Sequence, residues 1–78
     1  MDRQRIETLV LAVLATVLKC EVNPDSSRKN TPQWDSLKHI EVIFAIEDEL
    51  GLQFSEEALA ELNSVSQIVD GALALHAA

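Results

Sequence analysis

The chain has 78 residues, 47% of them hydrophobic but only 4% aromatic, and thirteen acids against six bases leave a net charge of −7. That length holds one domain, residues 1–78, with an aliphatic core, and rules out a compositionally disordered segment. A surface this acidic repels phosphate backbones and anionic lipid, so neither nucleic-acid nor membrane binding is expected, whereas a partner with a basic docking face is suited to it.

From Asp2 to Lys19 the apolar residues Ile6, Leu9, Val10, Val13, Leu14 and Val17 recur at helical spacing. Leu11 and Leu18 widen the stripe, Asp2 reads as an N-cap, and Lys19 suits the negative end of the dipole. The apolar run Leu9–Leu18, broken by Thr16, is too short to span a bilayer, and Glu7 interrupts the only signal-peptide candidate. Cys20 is the single cysteine and has no internal disulfide partner, which fits a cytoplasmic location. A chain of this size is not expected to build a deep substrate cleft alone. The reading is therefore a monomeric module that other proteins act on, not an enzyme.

Glu21 to Trp34 shows no periodicity, and a long loop is predicted there, stiffened by Pro24 and Pro32 and anchored to the core by Val22 and Trp34. A second helix is predicted from Ser36 to Leu50, opened by Asp35 or Ser36 and stopped by Gly51. At about 100° per residue, Val42, Ile43, Ile46 and Leu50 share the core side. Leu37, Glu41, Phe44 and Asp48 share the opposite side, flanked by Ile40 and Glu47. Apolar residues edged by carboxylates on a wet face point to a docking surface, and the plain alternative is a solvated acidic helix. Ser55 before Glu56 and Glu57 opens a short helix to Glu61 or Leu62. Ser64 with Gln67 forms a capping box for a last helix, from Val65 to about Leu75, whose inner stripe is Val65, Ile68, Val69, Ala72 and Leu73. Gly71 inside it permits close helix contact. The expected fold is all-α, a four-helix bundle with a short third helix and a long first loop.

Asp35-Ser36-Leu37 stands where that loop hands over to the second helix. A helix start offers unpaired N–H groups and the positive end of the dipole, so an anionic ester on Ser36 would be favourably placed. Asp or Ser before a helix is equally an ordinary cap.

These residues, with Glu41, Ala45-Ile46-Glu47-Asp48-Glu49-Leu50, Phe54, Glu56-Glu57 and Ser64-Val65, resemble the acyl carrier protein family. The similarity runs from Trp34 to Val69 and more loosely over the whole chain. The resemblance implies a serine that receives 4′-phosphopantetheine from coenzyme A through a phosphopantetheinyl transferase, and Ser36, flanked by Asp35 and Leu37, is the matching position. It implies a non-catalytic carrier of acyl thioesters in fatty-acid, polyketide or other specialised metabolism. Acyl-loading and acyl-processing enzymes would dock basic surfaces on Leu37, Lys38, Ile40, Glu41, Phe44, Glu47 and Asp48. Two positions depart from the family. The lead-in Thr31-Pro32-Gln33-Trp34 has no glycine, and Lys38 stands where fatty-acid carriers often place an acid. Both point to a stand-alone carrier of one specialised pathway. The absence of paired glycines before Ser36 ranks acyl above aminoacyl or peptidyl cargo. An unmodified acidic helical interaction domain is the alternative from outside the carrier class.

His39 lies three residues after Ser36, but periodicity turns it to the core side, so a packed histidine is expected in place of a nucleophile–base pair. Cys20, His39 and His76 are too scattered for a metal site.

Overall fold

The computed structural model describes the backbone of residues 2–77 and the side chains of residues 2–75, so the expectation that His76 takes no part in a metal site lies outside the described side chains. Four helices follow in order: α1 (Arg3–Leu18), α2 (Ser36–Leu50), α3 (Glu56–Glu61) and α4 (Val65–Ala77). The all-α bundle with a short third helix is thus the observed fold, and α4 runs two residues past the expected Leu75.

Helix α1 is the central stave and packs against both α2 and α4. Its buried residues, Ile6, Val10, Leu14 and Leu18, are spaced four apart, so they form a narrow ridge along one face. Leu11, Val13 and Val17 are half-buried at its margins. Asp2 caps the helix by accepting the Arg5 N–H, as expected. At the other end Lys19 adopts a left-handed conformation (φ 55°) and its N–H closes on the Ala15 carbonyl. Lysine there costs about 1 kcal/mol relative to the glycine usual at such a position. Gly51 ends α2 in the same way without that cost. An Arg3–Asp70 ion pair joins α1 to α4 at the surface.

Val42, Ile43 and Ile46 of α2 meet Val65, Ile68, Val69 and Ala72 of α4 in one core with the α1 ridge, and Phe54 and Leu62 close it at the short-helix end. Helix α3 contributes no fully buried residue. Its order comes from Ser55, which accepts the Ala58 N–H, and from its flanks. Gly71 fits the expectation of close contact: a Cβ there would lie 3.2 Å from Leu62 Cδ2 and 3.5 Å from Phe54 Cε1.

The connection from Glu21 to Trp34 is long, as expected, but densely bonded. Asn23 Oδ1 accepts the Asp25 N–H, Ser26 Oγ accepts the Asn23 N–H, and Asn30 Oδ1 accepts the Ser27 N–H. These are the local side-chain turns that Asn and Ser favour, invisible to a search for hydrophobic period. The segment is also stitched to the α3–α4 connection by an isolated antiparallel bridge, Ser27 to Ser64. There Arg28 N–H donates to the Asn63 carbonyl at 2.8 Å and Val65 N–H to the Ser26 carbonyl at 3.0 Å.

The two sides of α2 differ enough to be separated by experiment. Ile46 is fully buried and Phe44 is 59% exposed. Ile46→Ala is expected to cost about 2–5 kcal/mol through lost transfer energy and a cavity. Phe44→Ala should stay near about 0.5 kcal/mol, as exposed substitutions do. Urea denaturation of both variants checks this, and equal losses would contradict the observed rotation of the helix.

Candidate functional site

The start of α2 is set by its neighbours. Asp35 is extended (φ −87°, ψ −177°) and its Oδ1 accepts the Lys38 N–H at 2.9 Å. Asp35 is therefore the N-cap, and Ser36 is the first helical residue. Of the two candidates for the cap, the aspartate takes the role, which leaves the Ser36 hydroxyl uninvolved in it. Ser36 is exposed. Its Oγ accepts from Arg28 Nη2 at 3.1 Å, while Arg28 Nη1 donates to Asn63 Oδ1 at 3.1 Å. A guanidinium steered by Asn63, and held at its own backbone by the bridge to the α3–α4 connection, thus stands against the serine oxygen. Neither Arg28 nor Asn63 was a candidate from sequence. Their approach to Ser36 is made by folding, and no local period or motif carries it.

Trp34 is buried, and its indole N–H donates to His39 Nδ1 at 3.0 Å. An indole N–H only donates, so Nδ1 is the acceptor and the imidazole proton sits on Nε2. That N–H then donates to the Leu59 carbonyl at 2.8 Å. Both ring nitrogens are committed, so His39 is not oriented as a base for Ser36. It is the packed, loop-contacting histidine that the periodicity predicts. Burial pushes the His39 pKa below its ordinary 6.5; the hydrogen bond to Leu59 opposes this and the nearby Arg28 charge adds to it.

The outer face of α2 carries Leu37 at 69% exposure, Phe44 at 59% and Ile40 at 42%. Glu41 and Asp48 are exposed beside them. Lys38 pairs with Glu41 at 3.3 Å across one helical turn. Glu47, also expected on this face, is less exposed than its acidic neighbours there. It is half-buried, and its Oε2 accepts the Phe54 N–H at 2.6 Å. Its carboxylate serves the α2–α3 connection, because the chain after Gly51 folds back over that edge of the helix and presents an unpaired amide there.

Residues 8–71 match the family described as phosphopantetheine attachment site. The chain belongs to the phosphopantetheine-attachment (PP-binding) family. Proteins of this family bear a covalently attached 4′-phosphopantetheine group, and the chain is a phosphopantetheine-bearing carrier domain. Such a carrier interacts with a phosphopantetheinyl transferase and with acyl-processing enzymes, and PP-binding carrier domains are generally non-catalytic. The residues at the start of α2 fit the group: an exposed hydroxyl is available for a phosphodiester, and a guanidinium lies beside it to offset the charge. Among the described residues no helix is long and apolar enough to cross a membrane. Among the same residues no group of three or more His, Cys, Asp or Glu side chains is placed to hold a metal ion.

The neutral His39 has a consequence for stability. In the unfolded chain it binds a proton near pH 6.5, whereas in the folded chain it resists protonation. The folded state then holds fewer protons, so its contribution is complete above pH 6.5 and is lost as pH falls below it. Protonation would also set a second N–H against the indole N–H. Denaturation followed by Trp34 fluorescence should show stability falling as the pH drops below about 6.5, a loss that is smaller in His39→Gln. Identical pH dependence in the two proteins would contradict it.

Proposed function

We propose that the chain is an acyl carrier, acting as one domain over residues 1–78, with its 4′-phosphopantetheine arm on Ser36. What supports this attachment point is an exposed serine hydroxyl on the first residue of α2, freed from capping by Asp35, in a PP-binding chain. Loading forms an ester bond from Ser36 Oγ to the phosphorus that carries the pantetheine arm of coenzyme A. The phosphoanhydride bond to 3′,5′-ADP breaks, and the hydroxyl proton passes to a base of the transferase. The arm's thiol then carries acyl groups as thioesters, and the protein supplies position and recognition while partner enzymes supply the chemistry. The chain itself catalyses nothing, works as a monomer and resides in the cytoplasm.

The docking surface is assigned to Leu37, Ile40, Glu41, Phe44 and Asp48, with Lys38 inside it. Exposed apolar side chains ringed by carboxylates suit a basic partner with an apolar centre. The Lys38–Glu41 pair is exposed and worth about 0–1 kcal/mol, so Lys38 is available to tune partner choice and not needed for the fold. A cation inside an acidic face penalises a basic partner fitted to a wholly acidic one, which favours a carrier dedicated to one specialised pathway.

Intact mass after incubation with coenzyme A and a broad-specificity phosphopantetheinyl transferase tests the attachment point. The protein should gain the arm and Ser36→Ala should not. The variant should keep its stability, because Asp35 caps the helix; Asp35→Ala should instead cost about 1 kcal/mol. Loading of the Ser36→Ala protein would refute the assignment.

The charged face is tested by kinetics. Glu41→Gln and Asp48→Asn should leave stability unchanged or slightly raised, since they relieve like-charge repulsion. Both should slow association with the transferase, more at low salt than at high. Lys38→Glu should improve use by a generic fatty-acid synthase partner and impair use by the native one. An unchanged preference would place specificity elsewhere, most directly in the loop that ends at Trp34.

A further inference from the structure

We propose that Arg28 is the residue that holds the phosphodiester of the arm, positioning the root of the prosthetic group against the loop that precedes α2. The inference rests on Ser36 as the attachment point and goes beyond it by assigning the anion a partner within this chain.

Four observations carry it. Arg28 Nη2 lies 3.1 Å from Ser36 Oγ, the atom that the assignment makes the ester oxygen. The guanidinium is aimed there by a second bond, from Nη1 to Asn63 Oδ1 at 3.1 Å. Its backbone is fixed by the Arg28 N–H to the Asn63 carbonyl at 2.8 Å, so the side chain starts from a braced position. Finally, Arg28 makes no ion pair among the described residues, in a chain of net charge −7. Its positive charge is directed at a neutral hydroxyl, while Asp35 beside it is occupied as the cap.

Esterification changes what the guanidinium meets. The hydroxyl oxygen, a good acceptor, becomes a bridging ester oxygen, which is a weak one. Two non-bridging oxygens that share a full negative charge appear two bonds from the atom Nη2 now touches. A planar guanidinium matches a pair of such oxygens and gains strength when its acceptor is ionised. The neutral contact to Ser36 therefore converts into a charge-assisted one on loading. Asn63 keeps one edge of the guanidinium oriented throughout. Modification is thereby transmitted to the Ser27–Ser64 bridge and the α3–α4 connection, since the same arginine belongs to both.

The test uses the full chain, unloaded and loaded with coenzyme A by the transferase. Intact mass comes first: no gain of the arm by the wild-type protein, or a gain by Ser36→Ala, overturns the attachment reading and this one with it. With loading established, the Arg28 side-chain N–H resonances of the wild-type protein should shift between unloaded and loaded forms. The 31P resonance of the loaded protein should shift and narrow in Arg28→Gln. Arg28→Lys should keep the charge but not the paired geometry and fall between the two. Wild-type Arg28 resonances that do not move on loading would overturn the proposal, and this measurement needs no variant to fold. A 31P signal with the same position and width in wild type and a folded Arg28→Gln protein would overturn it equally.

Discussion

Trp34 is the largest fully buried side chain of the protein, and a buried indole carries a polar N–H that must find an acceptor. His39 is that acceptor, one turn into α2, and it passes the requirement on by donating from its other nitrogen to the Leu59 carbonyl. This chain of two bonds ties the end of the long connection, the start of α2 and the short α3 to one another. No buried side-chain polar atom among the described residues is left without a partner. The rest of the site follows in sequence. With Trp34 and His39 pinned, Asp35 and Ser36 between them have little freedom; Asp35 turns to cap the helix and Ser36 is presented outward. The imidazole thus fixes the residues on either side of the serine without touching it.

Apart from Trp34 and Phe54, the hydrophobic core is aliphatic. Helix α3 buries none of its residues fully, so that corner of the bundle depends on polar bonds to a degree that α1 does not. Ser55, Glu47 and the His39–Leu59 contact each satisfy backbone groups there, and Phe54 and Leu62 supply the apolar closure. Regions built this way open at lower free energy than a packed helix pair. Helix α3 and its flanks are therefore the part of the bundle best able to adjust to a partner.

Much of this was legible in the sequence because amphipathic helices declare themselves by period. The core side of α2, its Gly51 stop and the caps at Asp2 and Ser55 are all local rules applied to local residues. Asp35-Ser36-Leu37 was legible as a handover point for the same reason. What escaped is non-local. Glu47 lies on the expected outer face by angle, yet the return of the chain through Phe54 claims its carboxylate. The segment from Glu21 to Trp34 has no hydrophobic period, because its order resides in Asn and Ser side-chain bonds and in the bridge to Ser64. The Arg28–Asn63 contact joins residues 35 positions apart, a separation beyond any pattern rule. The capping box was legible in part: Ser64 Oγ takes the Gln67 N–H, but Gln67 reaches back to the amide of Asn63, drawn there by the same junction.

The arrangement of charge then acquires a physical logic. Of six bases, Arg28, Lys29 and Lys38 fall within ten residues of Ser36 along the chain, and the acids Glu41 and Asp48 lie further along the outer face of α2. A phosphodiester added to a uniformly acidic helix start would meet repulsion and be driven outward, away from the body. A cation at the serine removes that repulsion locally, while the acids one and more turns away still attract a basic partner over a distance of about 8–10 Å at moderate ionic strength. The two requirements conflict only if they share a position, and the fold keeps them apart. The cation for the serine comes from the preceding connection, braced by Asn63, and the acids come from the helix. Lys38 is the one base on the helix itself next to the serine, and its pairing with Glu41 confines its influence to the nearest turn. On the proposed reading, the connection governs the root of the prosthetic group and α2 the choice of partner, so that changes in one need not disturb the other.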